Sequence, residues 1–202
     1  MTNSICINKN IKNYNKVIYV SSDKSISIRW ALIASQAIGT SKATNLLISE
    51  DVLSTLSCLK KLGIKVILNR KQNKCKIVGN GINGFNYKKK IILNAKNSGT
   101  LARLICGLLV KSKNSIKIIG DKSLSRRDFS RVIKPLSQFG VNFYPKTKKN
   151  LPIKIKGTNF LRPIQFVEKK GSAQVKSLLI LAGMIAPGTT TIYAKKSRNH
   201  TE

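Results

Sequence analysis

The sequence predicts an α/β (α+β) fold built from repeated βαβαββ units. Three observations carry this. Strand-like and helix-like periodicities alternate along the chain. Two predicted helices match as whole segments, EDVLSTLSCLKKLGIKV and RDFSRVIKPLSQFGVNF, each running twelve residues from an aspartate (Asp51, Asp128) to a glycine (Gly63, Gly140). Three further helices open on small polar residues at Ser25, Ser98 and Ser172, which fall 73 and 74 residues apart.

In chain order, 16–20 (KVIYV) reads as a strand, 25–38 as a helix and 44–48 as a strand. The helix at 51–62 puts Val52, Leu56, Leu59 and Leu62 on one face. Gly63 ends it, since glycine accepts the left-handed cap conformation. Strands at 64–68 and 75–78 close the first unit. The order then repeats: strand 90–93, helix 99–110, strand 115–119, helix 128–139, strands 141–144 and 153–156. Pro135 falls inside the second copy and is expected to kink it, because it removes a helical hydrogen bond. A third unit begins with strand 164–167, helix 172–184 and strand 189–193. Two units and half of a third leave a sheet edge and a helix face uncovered, which predicts a piece of a longer protein.

Composition excludes several classes. The longest apolar run, 178–187, is shorter than the ~20 residues a bilayer span needs. The start, MTNSICINKN, has neither a signal-peptide layout nor the arginines of a transit peptide. Cys6, Cys58, Cys75 and Cys106 form no CxxC pair, so neither a zinc site nor a disulfide framework is expected, and a reducing cytoplasm is. The net charge is +31, but 30 lysines stand against 8 arginines, and Lys, Ile and Asn make up 74 of 202 residues. AT-rich coding drift produces that bias without any partner, so the charge is read as a solvated surface and no specific nucleic acid is expected.

Chemistry concentrates at the three serine-led helix starts: DKSISIR (23–29), NSGTLAR (97–103) and GSAQVK (171–176). Each joins small residues, which admit a ligand to free backbone N–H groups, with a cation near the first turn. A helix N-terminus carries partial positive charge and unpaired donors. Repeat symmetry brings three such starts together, which suits a ligand bearing several phosphate or carboxylate groups. A second cluster precedes the second helices: Glu50-Asp51, Arg126-Arg127-Asp128 and Arg198-Asn199-His200, the last holding the only histidine.

These runs resemble the 5-enolpyruvylshikimate-3-phosphate synthase family of the shikimate pathway. DKSISIR resembles its Lys-Ser-x-Ser-x-Arg loop and NSGTLARLICGLL its Asn-Ala-Gly-Thr signature. SEDVLSTLSCLKKLG, GDKSLSRRDF, LPIKIKG, SAQVKSLLILAG and SRNHTE follow in family order. The resemblance covers 17–202, with 1–16 as a leading strand region that packs with the second domain. It implies one domain of a two-domain fold, each domain of three βαβαββ units, with the third repeat incomplete here and a C-terminal domain missing. It further implies transfer of the enolpyruvyl group of phosphoenolpyruvate to the 5-hydroxyl of shikimate 3-phosphate, by a monomer and without metal or organic cofactor.

Residue by residue, the resemblance assigns Lys24, Ser25, Arg29, Ser172, Ala173, Gln174 and Arg198 to shikimate 3-phosphate. Lys24, Gly99, Arg127 and Gln174 fall to phosphoenolpyruvate, with Lys24 as the shared, catalytic contact. Asn97, Thr100 and Arg103 form the surrounding signature. Arginine suits bidentate binding of phosphate and carboxylate, and lysine a point charge between two anions. Ser21-Ser22 stands where the family has Pro-Gly, Ser98 replaces Ala, Asn199 replaces Asp, and Asp128 replaces a Pro, beside Arg127 where it competes with substrate. The family's acid/base carboxylates lie in the second domain, so this chain alone is expected to be inactive. Two alternatives fit less well. A UDP-N-acetylglucosamine enolpyruvyl transferase has Lys-Asn at the first helix and a reactive loop cysteine, whereas Cys106 sits in an apolar helix. A basic nucleic-acid module lacks the aromatic residues on which bases stack.

Overall fold

The computed structural model describes residues 22–145, 147 and 149–194. Among these the order is α1 (Lys24–Ala34), β1 (Ile38–Ala43), α2 (Glu50–Lys61), β2 (Lys65–Asn69), β3 (Lys74–Asn80), β4 (Ile91–Asn94), α3 (Gly99–Leu108) and β5 (Ile116–Ile119). There follow α4 (Lys122–Ser125), α5 (Ser130–Gln138), β6 (Asn142–Tyr144), β7 (Ile153–Lys156), β8 (Gln165–Glu168), α6 (Ala173–Gly183) and β9 (Thr191–Ala194).

Every residue of α3 except Arg103 is buried. A helix apolar on all sides belongs in an interior, and α1, α2, α5 and α6 all touch it. Closest is α6. A Cβ on Gly107 would lie 2.4 Å from the Leu178 carbonyl oxygen, so only glycine lets these two backbones approach. Leu101, Leu104 and Leu108 of α3 join Leu178, Leu179 and Ala182 of α6 in one continuous core.

The strands form three sheets around this helical interior: β1-β3-β2, β4-β5-β7-β6 and the pair β8-β9. In the second, β4 runs parallel to β5 and the remaining pairs are antiparallel. The first sheet pairs β1, β3 and β2 as β5, β7 and β6 pair, and β8-α6-β9 repeats the parallel order of β4-α3-β5. Lysines occupy many outward positions of the first two sheets. Lys74 and Lys76 alternate with buried Cys75 and Ile77, and Lys154 and Lys156 with buried Ile153 and Ile155. No helix among the described residues is long and apolar enough to cross a membrane.

Several expected elements shift. The helix predicted over 25–38 ends at Ala34, and Ile38 already begins β1, which lies before the strand predicted at 44–48. The helix stops because β3 crosses its end: the Asn80 and Gly81 N–H groups bond the carbonyls of Ser35 and Ala37. Segment 44–48 is not a strand. Asn45 sits at φ 54°, outside the strand region, and Leu46 and Leu47 are held singly, by the Asn73 carbonyl and the Ser27 hydroxyl. The helix predicted from Asp128 starts at Ser130, after the unforeseen α4, which Asp121 caps at 2.7 Å. Pro135 lies inside α5 and is buried. The strand at 16–20 and the leading region 1–16 lie outside the described residues.

Candidate functional site

The three serine-led helix starts each carry the same local chemistry. Asp23, Ser98 and Ser172 occupy N-cap positions, their side chains accepting from Ile26, Leu101 and Val175 N–H respectively. In α1 the cap is Asp23 rather than Ser25, which stands in the first turn. All six carboxylates among the described residues (Asp23, Glu50, Asp51, Asp121, Asp128, Glu168) lie within five residues of a helix start. There they complement the positive end of the helix dipole.

Side chains tie the starts together. From α1, Arg29 donates through Nε to Ser177 Oγ of α6 at 3.3 Å and through Nη1 to the Ser25 carbonyl at 3.3 Å. Its Nη2 is buried and has no hydrogen-bond partner among the described residues. Burial pushes the Arg29 pKa down, against the pull of Asp23. From α3, Arg103 donates to Gln174 Oε1 of α6 at 2.9 Å, and Gln174 Nε2 donates back to Thr100 Oγ1 at 3.1 Å. Both ends of the Gln174 amide are therefore spent on α3.

Gly99 marks where cations converge. A Cβ there would sit 2.6 Å from Arg103 Nη1 and 3.0 Å from Arg127 Nη1. The Arg103 pKa is lowered, by burial first and then by Arg127 and Arg131. The guanidinium also stacks 5.3 Å from the Phe129 ring centroid, which holds its plane. Of these cations Arg103 is partly buried, whereas Arg127 and Arg131 are exposed. Lys24, half-exposed, pairs with Asp51 Oδ2 at 3.2 Å, which leaves two of its three N–H donors for a ligand. Asn97 donates to Asp121 Oδ2 at 2.6 Å.

Asp128 does not take Arg127, contrary to the expected competition. Its two oxygens accept from Ser130 N–H at 2.8 Å and from the Ser130 hydroxyl at 2.6 Å, which holds its pKa below the usual range. Thus Arg29 links α1 to α6, and Thr100, Arg103 and Gln174 link α3 to α6 beside Gly99, while Lys24, Ser25, Ser172 and Ala173 stand on the openings of α1 and α6. Arg127 joins them from the segment after α4. Arg198, Asn199 and His200 lie outside the described residues.

Sequence reasoning missed Glu168, Ser177 and Phe129. Glu168 is a carboxylate in a basic run, the only available signal. Ser177 looks like one more small helix residue, and Phe129 like ordinary core. A separate cleft of about 310 Å³, lined in part by Phe85, Tyr87, Leu108 and Ser112, lies at the opposite end of α3 and shares no residue with these starts. Among the described residues no cluster of His, Cys, Asp and Glu is arranged to hold a metal. The three described cysteines are free and buried.

Comparison with known proteins bears on this arrangement. The profile of the family described as EPSP synthase (3-phosphoshikimate 1-carboxyvinyltransferase) matches residues 8–202. Proteins named 3-phosphoshikimate 1-carboxyvinyltransferase from Streptococcus pyogenes serotypes M2 and M1 are 41% identical over 187 residues. Those matches cover 92% of this chain and 43% of each relative, so the chain spans less than half their length. An EPSP synthase structure from Acinetobacter baumannii superposes with a TM-score of 0.84 at 34% identity, over 91% of this chain and 41% of that one.

Proposed function

The chain belongs to the EPSP synthase (3-phosphoshikimate 1-carboxyvinyltransferase) family, and from that premise we propose that it carries the shikimate-3-phosphate side of an enolpyruvyl-transfer site. In the proposed reaction, the methylene carbon of phosphoenolpyruvate takes a proton, and the 5-hydroxyl oxygen of shikimate 3-phosphate, giving up its own proton, adds to the neighbouring carbon that bears the phosphate. The tetrahedral adduct then loses phosphate from that carbon and a proton from the methyl group, which restores the double bond. Arg29, Ser25 and Ser172 hold shikimate 3-phosphate, Lys24 lies between the two anions, and Arg127 and the Gly99 backbone hold phosphoenolpyruvate. Gln174 turns to substrate by releasing Thr100 or Arg103, and Ala173 contributes backbone. Arg198 completes the shikimate-3-phosphate set.

The observation that carries this reading is Arg29 Nη2, a buried guanidinium donor with no partner among the described residues. A buried donor left unpaired is costly, and an anionic oxygen arriving among the three helix starts satisfies it. Ser172 supports the same reading: its Oγ accepts from Val175 N–H, leaving the hydroxyl proton for a ligand.

The proposed organisation is residues 17–202 as one domain of repeated βαβαββ units, led by 1–16, with proton transfer supplied by a second domain. Helix packing supports the repeat: α2 lies on α1 and α3, and α5 on α3 and α6. A third-unit second helix then falls on α6 and α1, where Ile180, Met184, Ile26 and Ile33 are exposed. The complete protein is read as a cytoplasmic monomer, in keeping with free buried thiols.

Calorimetric titration of the 202-residue chain with shikimate 3-phosphate tests the site. Binding is expected, weakened in Arg29→Ala by about 1.5–3 kcal/mol, or roughly 10- to 100-fold. No binding, or unchanged affinity in both Arg29→Ala and Lys24→Ala, overturns the assignment. Turnover by the chain alone overturns the placing of proton transfer elsewhere.

A further inference from the structure

We propose that Glu168 is the positioning residue for the opening turn of α6, and through it for anion binding; the inference rests on the shikimate-3-phosphate reading above. Glu168 ends β8 and is 5% exposed, the one buried carboxylate among the described residues. Such a group is retained only where hydrogen bonds replace its water. Here Oε1 accepts from Lys170 N–H at 3.2 Å and Oε2 from Ser172 N–H at 2.9 Å. Gly171, between them, sits at φ 66°, so the whole turn wraps around one carboxylate. That turn sets where Ser172 caps the helix and where Gln174, two residues on, meets Thr100 and Arg103. It equally sets how α6 presents Ser177 to Arg29.

A competing role needs only charge: any carboxylate near the start of α6 complements its dipole. The two roles separate by substitution. Glu168→Gln keeps the reach but turns one acceptor into an amide donor facing an N–H. Glu168→Asp keeps the charge but loses the reach to two amides.

The test is titration of the 202-residue chain and both variants with shikimate 3-phosphate, with folding checked by circular dichroism and the Ser172 amide followed by ¹⁵N NMR. If one charge-assisted hydrogen bond holds the turn, losing it lowers the binding-competent fraction, and both variants bind about tenfold more weakly while remaining folded. Full affinity in Glu168→Asp assigns the role to charge and overturns the proposal. Unchanged affinity in Glu168→Gln despite a shifted Ser172 resonance overturns it as well. Unfolding of both variants at the assay temperature makes Glu168 purely structural, with the same consequence. Failure of the unchanged chain to bind overturns the site reading itself.

Discussion

Replacing Gly107 by alanine tests whether the α3–α6 crossing assembles the site. The new Cβ would lie 2.4 Å from the Leu178 carbonyl oxygen and 3.2 Å from Leu181 Cβ. Ordinary contact begins near 3.4 Å, so the helices must part by about 1 Å. Both contacts belong to helix backbone or its first carbon, so neither yields by rotating. A gap of that size forfeits a quarter to a half of each dispersion contact along the interface, and overpacking costs about 1–3 kcal/mol. Alanine returns at most about 1 kcal/mol of helix propensity. Because α3 is buried on nearly every side, the upper part of the range applies, and a net loss of about 2 kcal/mol is expected. For a chain of this length that lowers Tm by roughly 4–8 °C. The Gln174 hydrogen bonds at 2.9 and 3.1 Å do not survive the separation, so shikimate-3-phosphate affinity falls with stability. Thermal melts and urea midpoints at constant m read the first effect, and calorimetry the second. An unchanged or raised Tm with full affinity refutes the reasoning.

Three further outcomes follow from the same structure. Gly99→Ala crowds only the guanidinium ends of Arg103 and Arg127, with Leu124 Cδ1 at an ordinary 3.6 Å, so stability should change by less than about 1 kcal/mol. Displacement of those guanidiniums should weaken phosphoenolpyruvate binding, and equal binding would show that they do not converge on it. Burial pushes the thiols up to about 11 for Cys58 and about 12 for Cys106. Both should resist N-ethylmaleimide at pH 8 until urea is added, and peptide mapping that finds either labelled in the folded chain contradicts the packing. Asp121 is held below the ordinary 3.8 by the Leu124 N–H and then Asn97, and Asp128 by Ser130. A depressed folded pKa contributes stability above the unfolded value that is lost as pH falls through the folded one. Urea midpoints should therefore drop below about pH 4, less steeply in the Asp121→Asn, Asp128→Asn double variant. An identical acid limb in that variant would remove these carboxylates from the account.

Elements with local periodicities were legible. Val52, Leu56 and Leu59 report a helix face in the first unit by spacing alone, and Ile153 and Ile155 a strand face in the second, whereas the one-turn α4 carries no such period. What failed depended on distant partners. Nothing near Ala34 says that a strand some 45 residues later will take its terminal carbonyls. At 44–48 the run Leu46-Leu47-Ile48 reads as a strand, and the one contrary signal is Asn45, a residue type that tolerates the φ of 54° it adopts. At the site, the residue types were readable from the serine, glycine and cation pattern at three matched positions. Their couplings were not: Gln174 reads as a ligand residue, yet both ends of its amide bind α3, and Asp128 reads as a rival for Arg127, yet serves Ser130.

The burial of α3 has a consequence for how this sequence tolerates its own composition. Lysine and asparagine together account for 48 of 202 residues, yet neither occurs anywhere in 99–110. On the outward rungs of the first two sheets, lysines such as Lys74, Lys76, Lys154 and Lys156 extend into water. Neither residue falls on a helix buried on every side but one, because a buried amine or amide without a partner is costly enough to unfold the domain. Arg103, the one residue of α3 not buried, is also its one charge. Along α3 the absence of both residues marks the stretch of chain that water does not reach, whereas α6, less enclosed, buries Lys176.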